Sequence, residues 1–160
     1  MTLAELAFRN LDASPLDPVE TWPYEGLVTA IERGFLSDWR RIAQAIRQAP
    51  WGSVARNIEA YAAYGEETEV AALLVETVRR ARAAADQADR AQVRDSVRSA
   101  VARSGLPARR FAAEVGTSAS RLSTYCAGTV QPSAAMVLRI ERESRRLGAQ
   151  SDPGAPDAGA

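Results

Sequence analysis

Hydrophobic positions recur along this chain three and four residues apart, and no stretch alternates with the period of two that a half-buried strand requires. The pattern predicts an all-α protein. Leu3 to Leu11 reads as an opening helix, followed by a segment from Ser14 to Pro18 that carries two prolines. Pro23 can open a second helix, with Leu27, Val28 and Ile31 as its stripe and Gly34 as its stop. A third, capped by Ser37 or Asp38, turns Trp39, Ile42, Ala43 and Ile46 inward and ends before Pro50. Ser53 to Tyr64 makes a fourth on Val54, Ile58 and Tyr61, with Gly65 as terminator. Glu66 to Ser104 contains neither glycine nor proline, which predicts one long helix or two abutting ones. The run ADQADR at 85–90 is the best place for a break, with Asp86 or Asp89 as cap.

Shorter periods follow. Val93, Val97, Ala100 and Val101 form a stripe stopped by Gly105. Pro107 is suited to a first helical position, where its missing N–H has no partner to lose, and Phe111, Ala112 and Val115 then share one face. Gly116 permits the left-handed backbone that ends this helix and re-aims the chain. Thr117 or Ser118 can cap the next helix, which turns Leu122 and Tyr125 to the core and ends at Gly128. Pro132 and Ser133 start a last helix on Met136, Val137 and Ile140. These periods divide the chain into a helical domain over 1–88, a four-helix domain over 89–147 and a tail over 148–160, whose sequence GAQSDPGAPDAGA is disordered by composition.

Two short helices joined by a turn containing Gly116, with the small Ala112 where they cross, have the spacing of a helix-turn-helix, in which the second helix lies in the major groove of DNA. Residues 91–147 resemble the helix-turn-helix domain of the Xre/phage-repressor family. The match is carried by Leu106, Phe111, Ala112, Val115, Gly116, Ser118, Leu122, Tyr125, Gly128, Pro132 and Ser133, and covers a little over a third of the chain. The resemblance implies a reading pair set between two supporting helices, and double-stranded DNA as partner. The sequence departs from the family at Ala108, where a glutamine often stands, and at Cys126 and Ala127, where an acidic residue often precedes the closing glycine. The missing glutamine removes one phosphate or base contact.

Charge adds to this picture. From Arg79 to Arg146 there are 14 arginines against 6 acidic residues; from Met1 to Val78 there are 6 against 12; the last fourteen residues add two acids, so the formal net charge is zero. Neutrality hides a polarised chain whose basic half contains the motif. That every cation is arginine carries no weight, because the acidic half lacks lysine too and a GC-rich coding sequence accounts for both.

With Leu122 and Tyr125 inward, Ala119, Ser120, Ser123 and Thr124 fall on or near the outward face. In the family, the positions matching these four and Ser118 commonly approach bases or backbone. Serine and threonine can hydrogen-bond several bases, and the Ala119 or Thr124 methyl can meet a thymine methyl. Arg121, the only long polar side chain on this helix, can reach phosphate or guanine or remain a solvated charge. Arg109 and Arg110 open the first helix of the pair, whose N-terminal amides should face phosphate, and Thr129 and Gln131 follow in the loop. So sparse a reading helix implies a homodimer on a pseudo-palindrome, with half-sites ~34 Å apart or a multiple of that.

Eight of the ten aromatic residues lie between Phe8 and Tyr64. They can form the core of a small helical domain, or Trp22, Tyr24, Trp39 and Trp51 can line a pocket for a ligand or protein partner. Val70, Leu73, Leu74, Val78 and Ala81 on the long helix can pack on this domain or form a dimer seam. Two functions follow: a transcriptional regulator, expected to be a repressor, or an antitoxin-like protein that holds a partner toxin through its N-terminal half and autoregulates its operon. No enzyme is indicated. The chain has no histidine and one cysteine, which excludes His/Cys metal sites and His-based triads, and its glycines form no phosphate-binding loop. No catalytic residue, metal or cofactor is expected. Cys126 reads as a small buried residue rather than a redox sensor, and Glu66, Glu67 and Glu69 as helix N-terminal acids. With no signal peptide, no long apolar run and no disulfide framework, the expected location is the cytoplasm, away from membranes.

Overall fold

A computed structural model describes residues 6–9, 11–65 and 67–151. The protein is all-α. Seven helices, α1 (Tyr24–Arg33), α2 (Leu36–Gln48), α3 (Ser53–Tyr64), α4 (Glu69–Arg103), α5 (Ala108–Glu114), α6 (Ala119–Ala127) and α7 (Ala134–Ser151), follow a single 3-10 turn at Val19–Thr21, and no strand occurs among the described residues. None of these helices is long and apolar enough to cross a membrane. The chain divides into two compact units between Asp86 and Gln87, and α4 contributes residues to both.

The first unit is built on the predicted stripes. Leu27 and Ile31 of α1, Ile42 and Ile46 of α2, and Val54, Ile58 and Tyr61 of α3 are buried, together with Leu74, Val78 and Ala81 of α4. The α4 stripe thus packs on its own unit, except Leu73, which is 68% exposed. Two indoles serve the fold directly. Buried Trp22 donates to the Asp17 carbonyl at 3.1 Å, and Trp39 donates to the Ala30 carbonyl of α1 at 2.8 Å. Arg41 stacks its guanidinium 5.0 Å from the centre of the Trp22 ring and donates to the carbonyls of Pro15 and Asp17, tying down the proline segment. Trp22 and Trp39 are therefore structural, while Tyr24 and Trp51 are exposed.

Several boundaries differ from the sequence reading. Residues 6–9 and 11 are not helical; the rest of the expected opening helix, 3–5 and 10, lies outside the described residues. Phe8 sets its ring edge-on to Trp22, with centroids 5.1 Å apart, and Leu6 also packs on the core, so tertiary contact overrides a weak helical preference. Second, α2 starts earlier than a cap at Ser37 or Asp38 allows. Phe35 takes the cap position, and the Asp38 carboxylate, three residues into the turn, accepts the Phe35 N–H at 2.9 Å. Third, α4 runs unbroken through 85–90. Asp86 and Asp89 are exposed on it, and aspartate in a helix interior costs at most about 0.7 kcal/mol, which the surrounding alanines tolerate.

In the second unit Val97 and Ala100 of α4, Phe111 and Ala112 of α5, Leu122 and Tyr125 of α6 and Ile140 of α7 close one core with Val115. The buried Ser144 hydroxyl of α7 donates to the Ala100 carbonyl at 2.7 Å, while Ser96 and Arg103 of α4 both bond Glu141. Pro107 precedes α5 rather than opening it; its carbonyl accepts from Arg110 and Phe111. The last helix extends past the expected end at 147 to Ser151, where Gly148 lies close to the Arg103 carbonyl, and residues 152–160 of the expected tail lie outside the described residues.

The α2 start gives a direct prediction. Asp38→Ala should lower stability by about 1 kcal/mol in urea unfolding, whereas Ser37→Ala should change it by under about 0.5 kcal/mol. Equal losses would contradict the assignment of the cap.

Candidate nucleic-acid interface

The α5–α6 pair is shaped by three glycine-centred helix ends, at Gly105, Gly116 and Gly128, whose φ values are 67°, 71° and 76°. At the end of α5, Thr117 donates to the Ala112 carbonyl at 2.9 Å and Gly116 to the Ala113 carbonyl at 3.1 Å, the paired closure of a Schellman motif. At the end of α6, Thr129 donates to Thr124 and Gly128 to Tyr125, each at 3.1 Å, in the same arrangement. The end of α4 uses a side chain instead. The buried Ser104 hydroxyl donates to the Val101 carbonyl and accepts the Leu106 N–H, joining the groups that a direct backbone bond would otherwise pair.

Two arginines complete these ends from outside. Arg98 of α4 donates to the Cys126 carbonyl at 2.6 Å, at the C-terminus of α6, and Arg139 of α7 donates to the Val115 carbonyl at 3.3 Å, just past α5. A cation at a helix C-terminus is favoured by the helix dipole as well as by the hydrogen bond. Both arginines are therefore committed to the fold. Between Val115 and Ser118 the chain turns in four residues, and the Ser118 hydroxyl accepts the Arg121 N–H at 3.1 Å, making Ser118 rather than Thr117 the cap of α6.

The sequence-predicted contact residues fall at the surface. Arg109, Arg110, Ser118, Ala119, Ser120, Arg121, Ser123, Thr129 and Gln131 are exposed and Thr124 is half-buried. Ser118, Ser120, Arg121 and Thr124 come together with Val130 around one shallow hollow. Arg121 and Gln131 share a second with Thr117, Tyr125 and Ser133. Arg109, Arg110, Ala119, Ser123 and Thr129 line neither. Some hydroxyls are already engaged: Thr124 donates to the Arg121 carbonyl at 2.7 Å, and Thr129 donates to Thr124 at 3.3 Å. Their remaining lone pairs can only accept.

Val130 is a surface residue that periodicity could not supply, because it lies beyond the glycine that ends α6. The contact between Arg121 and Tyr125 was available from sequence, since residues four apart on a helix are neighbours. The Arg121 Nε donates to the Tyr125 hydroxyl at 3.1 Å. Cys126 is half-buried, and burial pushes its thiol above the ordinary range, against a smaller opposing pull from Arg98. That suits an inert packing role.

Four carboxylates of this unit are paired with arginines of α4 and α7. Asp95 bonds Arg94, Glu141 bonds Arg103, Glu143 bonds Arg142 and Arg146, and Glu114 bonds Arg146. Hydrogen bonding to Arg146, and then Arg142, holds the Glu143 carboxyl below its usual range, and Arg94 does the same for Asp95. None of these partners is Arg109, Arg110 or Arg121, and Glu114 is the only acidic residue between Ser96 and Ile140. Among the described residues no cluster of carboxylates and cysteine could hold a metal ion. Comparison with protein-family models, curated proteins and solved structures gives no match to this chain.

The closure at Gly128 is testable. A Cβ there would adopt a left-handed backbone and meet the Arg94 side chain at 3.1 Å. Gly128→Ala should therefore cost about 1–2 kcal/mol in urea unfolding, and an unchanged midpoint would contradict the strained geometry.

Proposed function

We propose that the protein is a sequence-specific double-stranded DNA-binding transcriptional regulator, acting as a repressor in dimeric form on a pseudo-palindromic operator. One observation carries the reading: an exposed α6 with short polar side chains, set by a glycine turn against α5, and accompanied by arginines at 109, 110 and 121 that no carboxylate partners among the described residues. Short side chains let a helix approach base edges closely, and unneutralised arginines supply the phosphate attraction that dominates affinity. The polarised charge of the chain supports the same reading, because Asp95, Glu114, Glu141 and Glu143 are each paired with arginines of α4 or α7. A reading helix with one long side chain gives limited discrimination alone, so two copies on inverted half-sites ~34 Å apart account for specificity.

Salt dependence tests the reading. With about four to six phosphates neutralised per monomer, the log–log slope of affinity against salt should be near −0.9 per phosphate, and Arg109→Ala with Arg110→Ala should make it shallower by about 2. Fluorescence anisotropy on labelled duplexes measures both. A monomer that binds selected and random duplexes equally, or binding insensitive to salt, would overturn the proposal.

A further inference from the structure

The contact between Arg121 and Tyr125 carries the reading further. Arg121 occupies the first turn of α6, where the Ser118 cap accepts its backbone N–H. Its side chain is exposed, and its Nε is taken by the hydroxyl of Tyr125, a residue 5% exposed whose ring is fixed in the core. Anchoring Nε fixes the guanidinium plane. What remains for an outside partner is the edge formed by the two terminal nitrogens, which presents parallel donors and no acceptor. The neighbours on both sides are short: Ser118, Ser120 and Thr124 line the hollow that Arg121 borders.

We propose that Arg121 reads a guanine in the major groove and that Tyr125 is the residue positioning it, an inference that rests on the DNA-binding reading above. The chemistry selects the base. Guanine offers two adjacent acceptors, N7 and O6, which a fork of two donors satisfies together. Adenine places a donor beside its N7, thymine offers one acceptor and a methyl, and cytosine offers a donor, so none can use both arms. Because Ser118, Ala119, Ser120, Ser123 and Thr124 are small or committed, this single contact dominates base preference along α6.

The test is selection of bound duplexes from a library randomised over about two helical turns, followed by affinity measurements on the selected duplex. The proposal expects one guanine per half-site. Replacing it, or substituting 7-deazaguanine, which lacks the N7 acceptor, should weaken binding about 5- to 150-fold for the wild-type protein. Arg121→Ala should abolish that preference. Tyr125→Phe should reduce the preference while leaving the melting temperature and the affinity for random duplexes unchanged, and should have no further effect once Arg121 is alanine. If Arg121→Ala instead weakens all sequences uniformly and flattens the salt slope by about 0.9, Arg121 contacts phosphate and the inference fails while DNA binding stands. If Tyr125→Phe leaves the guanine preference intact, the positioning role is overturned. The 7-deazaguanine comparison uses only wild-type protein, so it decides the guanine contact even where a variant fails to fold. A wild-type protein with no salt-dependent affinity for any duplex would overturn the inference and the reading beneath it together.

Discussion

The reversal at Gly116 is the constraint on which the second unit depends. Two helices as short as α5 and α6 are marginal by themselves, because a large share of the backbone groups of each lies unpaired at its ends. The unit resolves this at the ends rather than in the middle. Left-handed glycines at 105, 116 and 128 let the chain fold back on the carbonyls it has just passed, and Arg98 and Arg139 take up what remains. Ala112 and Phe111 can then be buried against Leu122 and Tyr125 without a buried polar side-chain atom being left unpaired among the described residues. Packing and hydrogen bonding reinforce each other there, and α6 is left with one face free.

The distribution of ion pairs gives that free face its character. Individually, exposed pairs such as Arg94–Asp95 or Arg142–Glu143 contribute little to stability. Their collective effect is on where charge is left over. Each acid that pairs with α4 or α7 removes a countercharge that could otherwise have drawn Arg109, Arg110 or Arg121 aside. The same arginine-rich composition thus serves two ends: some side chains close helix termini and tie α4 to α7, and others stay at the surface with no carboxylate partner among the described residues.

Helix content and most buried stripes were legible in the sequence, because each is a local pattern: Leu27 and Ile31, Ile42 and Ile46, Val54 with Ile58 and Tyr61, and Leu122 with Tyr125 recur at helical spacing and are buried. Glycine ends were legible for the same reason. What periodicity missed depends on contacts distant in sequence or on side-chain direction. Phe8 is drawn from a helix by Trp22, and Trp22 is itself held by Arg41. The capping carboxylate of α2 lies inside the helix and reaches back. At the candidate site, the outward positions of α6 could be named from helix geometry, but Val130 at the hollow's edge and the engagement of Thr124 by its own helix could not.

The central claim, that the α6 face is the surface presented to DNA, is tested most directly by mapping amide chemical shifts of the full chain while a salt-sensitive duplex is titrated in. The account predicts perturbations concentrated at residues 109–110, 118–124 and 129–131, with the α4–α7 seam around Ser96, Ala100, Glu141 and Ser144 little changed. Shifts concentrated on α1 to α3, or none at all at saturating duplex, would contradict it.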